Sequence, residues 1–583
     1  MTPASAASPA PAGASLPSAG DLFGHPKGLY ICFFTEMWER FSFYGMKALL
    51  LLYLLKYHLF SDDAGYDLLG AYGGLVYAMP VLGGLLADRY LGMRKSVVLG
   101  GVLLALGHLG MAVEGEQARW VEGAVSRDEG ALQVFYLSLA FIIMGVGFLK
   151  PNISTLVGKL YAEHDPRRDS GFTLFYAGIN VGAMLASLVC GFLGETYGWR
   201  YGFGAAGIGM VAGLAVFLWG QRYLHGHAEP ADPARLRERV WGPFSRETLI
   251  YLGSLLGVVV IWQLIQRTAS VHGVMHLISL AFAVWFVWFL ARHCTREQRE
   301  QMIALVVLIF GVLIFFALYE QTYGAWITFT DRLLDTRLFG AVAGDYVPTL
   351  PWALFALALS PPLMVLALRA ADRGEAGHAR LLVGVMALAL AVAIVHDVVL
   401  VPQTAGSLTF LGAFFIVVMA PFFAWLWPWL ERRGRNPGKP AKMALGLAFA
   451  GLAFLPLWWA SQLSAGGEPA SVWWLVLAYL ILELGEMCLS PIGLAAVTQL
   501  SVARVVGLMM GGFWLATAYS EVLAAQFSKL ASLELAEGAA FDPAQAAARY
   551  GDLFLAMTGV GLFSALLLAL LIPWLRRAMH GVR

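Results

Sequence analysis

The chain has 583 residues, of which 59% are hydrophobic and only 13% charged, with a formal net charge of +1. A soluble domain carries about 25% charged residues, so this exterior is built for lipid, and the near-zero net charge offers no field for nucleic acid. Long continuous apolar runs, without the ten-residue alternation of barrel strands, exclude a β-barrel and predict an all-α polytopic membrane protein.

Residues 1–25 are rich in Ala, Ser, Pro and Gly and lack both a basic start and an apolar core. They read as a disordered cytoplasmic tail and not as a secretory signal. Apolar runs then fall near 28–57, 69–91, 96–114, 133–157, 171–194 and 201–222. A polar stretch carrying Arg235, Arg237, Arg239 and Arg246 follows, and then runs near 248–266, 273–292 and 301–329. The remaining runs lie near 351–369, 381–401, 407–430, 442–463, 471–499, 505–533 and 549–576, which makes sixteen candidate spans.

Lys and Arg collect in alternate connections, among them 88–95, 159–169, 291–300 and 431–442, while 60–67 and 534–545 are acidic or neutral. Cytoplasmic loops retain basic residues, so both termini are expected inside, at the inner membrane. The count resolves into a bundle of six helices over 26–224, a linker and inserted hairpin over 225–295, and a second bundle of six over 296–583. That second bundle holds an inserted pair of apolar segments at about 345–403. Pro361-Pro362 interrupts the first of these, so a re-entrant or surface helix is an alternative there.

Charges inside spans cost about 2.5–3.5 kcal/mol each on insertion scales and default to functional candidates. The densest group lies in the first span, where Glu36, Arg40, Tyr44 and Lys47 fall on one helical stripe with Glu39 beside it. A structural ion-pair cluster is the other reading, but four charges exceed what packing requires. Lys150 opens a KPNIS segment read as a turn in the fourth span. Glu320, Glu483, Glu486 and Glu521 lie in spans of the second half. A cavity between the halves therefore has a cationic wall facing an anionic one, which suits a zwitterion such as a free peptide.

The other signals are blander. Cys32, Cys190, Cys294 and Cys488 have no metal-ligand spacing and read as packing residues. His396 and Asp397 read as interfacial. The small residues of GGLVYAMPVLGG (73–84) read as sites of close helix approach. GRNPGKP (434–440) imitates a phosphate loop, but Pro440 stands where Ser or Thr is needed and no strand precedes it. With no other enzyme motif and no nucleotide domain, neither an enzyme nor a cofactor is expected, and an ion or solute gradient must supply the energy.

Glu36-Met-Trp-Glu39-Arg40-Phe41-Ser42-Phe43-Tyr44-Gly45 resembles the ExxERFxYYG signature of the proton-dependent oligopeptide transporter (POT) family. FTLFYAGINVG (172–182) is similar to that family's FYxxINxG motif, and GVGFLKPNIS (145–154) and GEMCLSPIG (485–493) also match. GLLADRYLGMRK (84–95) resembles the loop signature of the major facilitator superfamily. The resemblance implies the major facilitator fold, two bundles of six helices plus inserted helices. It also implies proton-coupled import of di- and tripeptides by a monomer whose partners are short peptides, protons and the bilayer.

It further implies that Glu36, Glu39 and Arg40 form a proton-linked cluster and that Arg40 and Lys150 hold the peptide carboxylate. Glu486 with Asn180 would hold the ammonium, Tyr44 and Tyr77 would line the site, and Lys47 with Glu320 would bridge the halves on the outer side. Four places depart from the family pattern. Phe43 replaces the first Tyr of a pair, and Gly412-Ala413 stand where Asn-Pro is usual. Lys47 replaces the commoner Arg, and MMGGFW (509–514) reverses an aromatic pair. A same-fold carrier of another anion or zwitterion is the main alternative; a non-transporting receptor is a weaker one, having no need of the charge cluster.

Overall fold

The computed structural model describes residues 21–162, 165–230, 232–339, 350–489, 493–533 and 541–582. Residues 1–20 of the expected tail, 345–349 of the expected insertion and 490–492 of the GEMCLSPIG motif lie outside these. Residues 21–25 are not loose tail. Asp21 pairs with Arg167 at 3.1 Å, and the His25 ring bonds the Tyr161 hydroxyl at 2.8 Å.

Among the described residues, sixteen long helices lie at the places where apolar runs predict them. The first half is α1 (Lys27–Lys56), α2 (Asp62–Leu86), α3 (Gly92–Met111), α4 (Glu129–Lys159), α5 (Arg168–Tyr197) and α6 (Trp199–Leu224). Then come α7 (Arg246–Ile265), α8 (Thr268–His293), α9 (Arg296–Leu333), α10 (Trp352–Asp372) and α11 (Ala376–Leu400). The last are α12 (Ser407–Arg432), α13 (Lys439–Ser464), α14 (Trp473–Leu489, resuming over Gly493–Leu500), α15 (Ala503–Ala531) and α16 (Pro543–Ala578). Thirteen helical segments satisfy span length and hydropathy, one of them being α2 and α3 joined through a π-turn at Ala87–Leu91. The chain reverses there because Gly92 takes φ +71°, a left-handed value that a side chain disfavours. Helix α1 misses the apolar criterion through its charges, yet nearly all of it is buried. An even number of crossings returns both termini to one side, called here the terminal side.

Two apolar cores form. The first gathers α1–α6, and the second gathers α9 and α12–α16. The inserted helices α7 and α8 are apolar all round and mostly exposed, as helices bathed in lipid must be. The pair α10–α11 corrects the reading by chain position: it is inserted in the second half but packs on the first core. Asp372 at its turn takes Lys27 at 2.7 Å and the Tyr223 hydroxyl at 2.6 Å.

Helix α10 is continuous through Pro361-Pro362, so no re-entrant break occurs. Pro361 has no N–H for the Leu357 carbonyl, and the Ser360 hydroxyl donates to that oxygen instead, at 2.8 Å. Asp397, expected at an interface, is buried; it accepts from Trp352 N and Ala353 N, both at 2.8 Å, and so caps α10. The turn expected at Lys150 is likewise absent. Helix α4 runs straight through Pro151, and Asn152 Nδ2 donates back to the Phe148 carbonyl at 2.7 Å.

The small residues of 73–84 act as expected. A Cβ on Gly83 would overlap the Gly147 carbonyl oxygen, and one on Gly73 would lie 2.5 Å from the Glu521 carboxyl. Helix α2 is thereby held against α4 on one face and α15 of the other half on another. All four cysteines are free and buried.

Candidate substrate and proton site

Where the halves meet, α1 supplies most of the charge, because its whole length is enclosed and its polar residues recur every three to four positions. Arg40 Nε is 3.2 Å from Glu36 Oε1 and also donates to Glu39 Oε2. All three side chains are buried. Helix α5 can approach this cluster because Gly182 lies against the Met37 carbonyl and the Arg40 Cβ. One oxygen of each glutamate and Nη2 of Arg40 have no protein partner. The cluster thus keeps unused donor and acceptor capacity.

Lys150 sits near this group, its charge felt by Glu36, Glu39 and Arg40. Among the described residues it forms no ion pair; its ammonium lies 4.6 Å from the Tyr77 ring and 5.9 Å from the Trp514 ring. Those contacts answer the reversed aromatic pair: Trp514 faces the lysine, while Phe513 is buried. Two turns along α1 from Arg40, Lys47 reaches across to the second half. Its ammonium is 2.7 Å from Glu320 Oε2 and 3.0 Å from Glu521 Oε1. Glu320 stands on a 3-10 turn, Glu320–Thr322, that kinks α9.

Between these groups lies a cavity of about 40 Å³ lined by Tyr44, Asn180, Tyr319, Tyr323, Gly412 and Tyr479, among others. Ligand pockets run to roughly 300–1,000 Å³, so the halves are drawn together around it. Asn180 Nδ2 is bonded to the Tyr176 carbonyl at 3.1 Å, and no hydrogen bond joins it to Glu486 among the described residues. Glu486 lies one turn from Glu483 on α14, and its Oε2 is buried without a partner.

The side away from the termini is sealed. Arg332 holds Asp62 through two bonds of 2.7 Å and takes the Tyr550 hydroxyl at 3.0 Å. Lys529 pairs with Asp67 at 2.6 Å, and Lys56 pairs with Asp331. Each of these pairs joins the two halves. On the terminal side no ion pair among the described residues links the two bundles directly, and Tyr176 is 40% exposed.

Sequence reasoning had placed Glu521 in a span without its partner, and it missed Tyr319, Tyr323, Tyr479 and the Asp62–Arg332 pair. The tyrosines carry no motif, and Asp62 and Arg332 lie at span ends, where charge is ordinary.

Two helical bundles closing around buried charges of both signs, sealed at one end, define a membrane carrier of the major facilitator type. Comparison with known sequences and structures gives the family. A model of the POT family matches residues 94–400 and 403–541. An uncharacterized transporter of Bacillus subtilis (strain 168) is 32% identical, over 97% of this chain and 98% of its own length. A peptide transporter of Yersinia enterocolitica is 30% identical, over 87% and 88%. A solved POT peptide transporter, bearing a glutamate-to-glutamine substitution and bound to alafosfalin, superposes with a TM-score of 0.71 at 31% identity, covering 96% of this chain and 97% of that one. The chain belongs to the POT family and is a multi-pass membrane transporter.

Proposed function

We propose that this protein is a proton-coupled symporter that imports di- and tripeptides across the inner membrane by alternating access, as a monomer with both termini cytoplasmic. The observation that carries the reading is a complementary pair of walls. Among the described residues, Lys150 on the first half pairs with no carboxylate, and Glu483 and Glu486 on the second half pair with no cation. A zwitterion satisfies both walls at once: its carboxylate goes to Lys150 with Arg40, and its ammonium to Glu486 beside Asn180. Tyr44 and Tyr77 line the space between. A monoanion such as nitrate would leave the carboxyl wall unmatched.

Proton coupling follows from a surplus of acids. Among the described residues of this region, the six acids Glu36, Glu39, Glu320, Glu483, Glu486 and Glu521 outnumber the three cations Arg40, Lys47 and Lys150, and a buried uncompensated charge is costly, so protons are the natural complement. Protonation of Glu320 weakens its hold on Lys47, which favours opening of the sealed side where protons are abundant. Proton movement past Glu36 and Glu39 then competes with substrate for the Arg40 guanidinium. The test is dialanine uptake into proteoliposomes with an imposed pH gradient, with nitrate as the comparison. Gradient-driven accumulation of the peptide alone supports the reading; transport of nitrate without peptide overturns it.

A further inference from the structure

The amine-side wall holds one more acid than a single peptide ammonium uses. Glu483 and Glu486 are three residues apart on α14, hence on one face. The Tyr319 hydroxyl donates to Glu483 Oε1 at 3.2 Å, and Glu486 Oε2 is buried without a partner. Glu483 is 0% exposed, and its Oε2 has no partner. Room for this carboxyl comes from α12. A Cβ on Gly412 would stand 3.0 Å from Glu483 Oε1, and Gly412 itself lines the cavity. With a side chain at 412, the acid would be pushed from that wall, which Tyr319 and Tyr479 share with Gly412.

The groups around the pair are tyrosines and acids. Tyr479 on the same helix, Tyr319 on α9, and Tyr44 and Tyr176 on the first half act on Glu483 or Glu486, together with Glu320. Among the described residues neither acid forms an ion pair with a lysine or arginine. Two buried carboxylates on one helix face are acceptors only and repel each other, so at least one needs a proton or a cation. A mono-ammonium ligand neutralises one of the two acids and leaves the other dependent on that proton. A ligand with a second cation beside its terminal ammonium displaces the proton to solvent and satisfies both acids.

Resting on the peptide reading above, we infer that Glu483 is a specificity-determining residue that makes this carrier favour peptides whose first residue bears a second amine. Gly412 is the residue that admits it to the wall. The experiment is calorimetric titration of the purified full chain in detergent with dialanine and with lysylalanine. The charged hydrogen bonds added by a second ammonium predict about tenfold tighter binding of lysylalanine by the unmodified protein. Glu483→Gln is expected to bring the two affinities within about twofold. A wild type that binds both peptides equally overturns the inference, as does a variant that keeps the preference. Failure of either peptide to bind the wild type overturns the peptide reading itself, a result distinct from a missing preference. Should Glu483→Gln fail to fold, Gly412→Ala is read in the same two titrations, because it crowds the carboxyl without removing it. Collapse of the ratio supports the inference, and an unchanged ratio sinks it.

Discussion

At the scale of single residues, the substitutions that separate binding from coupling lie on opposite sides of the site. Lys150 has aromatic rings against its ammonium and no ion pair among the described residues, so its charge is available to a ligand. Lys150→Ala is expected to abolish gradient-driven peptide uptake, since a buried substrate carboxylate loses a charged partner worth several kcal/mol. Uptake at the wild-type rate by a folded variant would remove Lys150 from the mechanism. Glu320 presents the complementary case, because it holds Lys47 at 2.7 Å across the two halves. Glu320→Gln mimics the protonated acid permanently. It is expected to lose accumulation against a gradient while retaining peptide exchange at equal pH, because exchange needs no net proton movement. If that variant still concentrates peptide in proteoliposomes, the coupling carboxylate is Glu36 or Glu39.

At the scale of helices, close approach is set by glycines whose neighbours differ sharply. A Cβ on Gly83 would run into backbone of α4 at Gly147, while a Cβ on Gly84 would meet only the Pro151 ring, at 3.7 Å. Overpacking of this kind costs about 1–3 kcal/mol. Gly83→Ala is expected to lower the melting temperature of the detergent-solubilised protein measurably, and Gly84→Ala to leave it nearly unchanged. Equal behaviour of the two would mean that α2 slides on α4 instead of packing at one fixed place. The α10–α11 pair is read by a different measurement. Glu375 lies at its turn, close to Asp372, which is bound to Lys27 at the start of α1. A cysteine at 375 in a cysteine-free background is expected to react with an impermeant maleimide only from the side of the termini. Labelling from the opposite side would overturn the placement of this pair.

At the scale of the whole molecule, one face is locked and the other is free to part. The Asp62–Arg332 pair is the most buried part of the lock, with side-chain exposures of 3% and 11%. Breaking a buried pair by removing one partner typically costs about 3–5 kcal/mol, here charged to the sealed state alone. Asp62→Asn is therefore expected to shift the population toward an arrangement open on that side. Spin labels at Gln117 and Ala544, both exposed at the sealed end, report the change as a new longer-distance population. An unaltered distance distribution would show that the remaining bridges, Lys529–Asp67 and Lys56–Asp331, hold the seal without it.

The sequence by itself determined the sixteen spans, because a helix in lipid must satisfy its own backbone and can be recognised by local hydropathy alone. It also marked the charged members of the site, Glu36, Glu39, Arg40, Lys47, Lys150, Glu320 and Glu486, since charge within an apolar run stands out without reference to any other residue. Only the tertiary structure decided their pairing. Lys47 shares itself between Glu320 and Glu521, residues 273 and 474 positions away, and nothing local couples such distances. The same holds for the attachment of α10–α11 to the first core, which chain order assigns to the second half, and for Asp397, whose capping partners lie 45 and 44 residues distant. Local chemistry is written in neighbouring residues. The partner that a buried charge finds depends on how the two bundles meet.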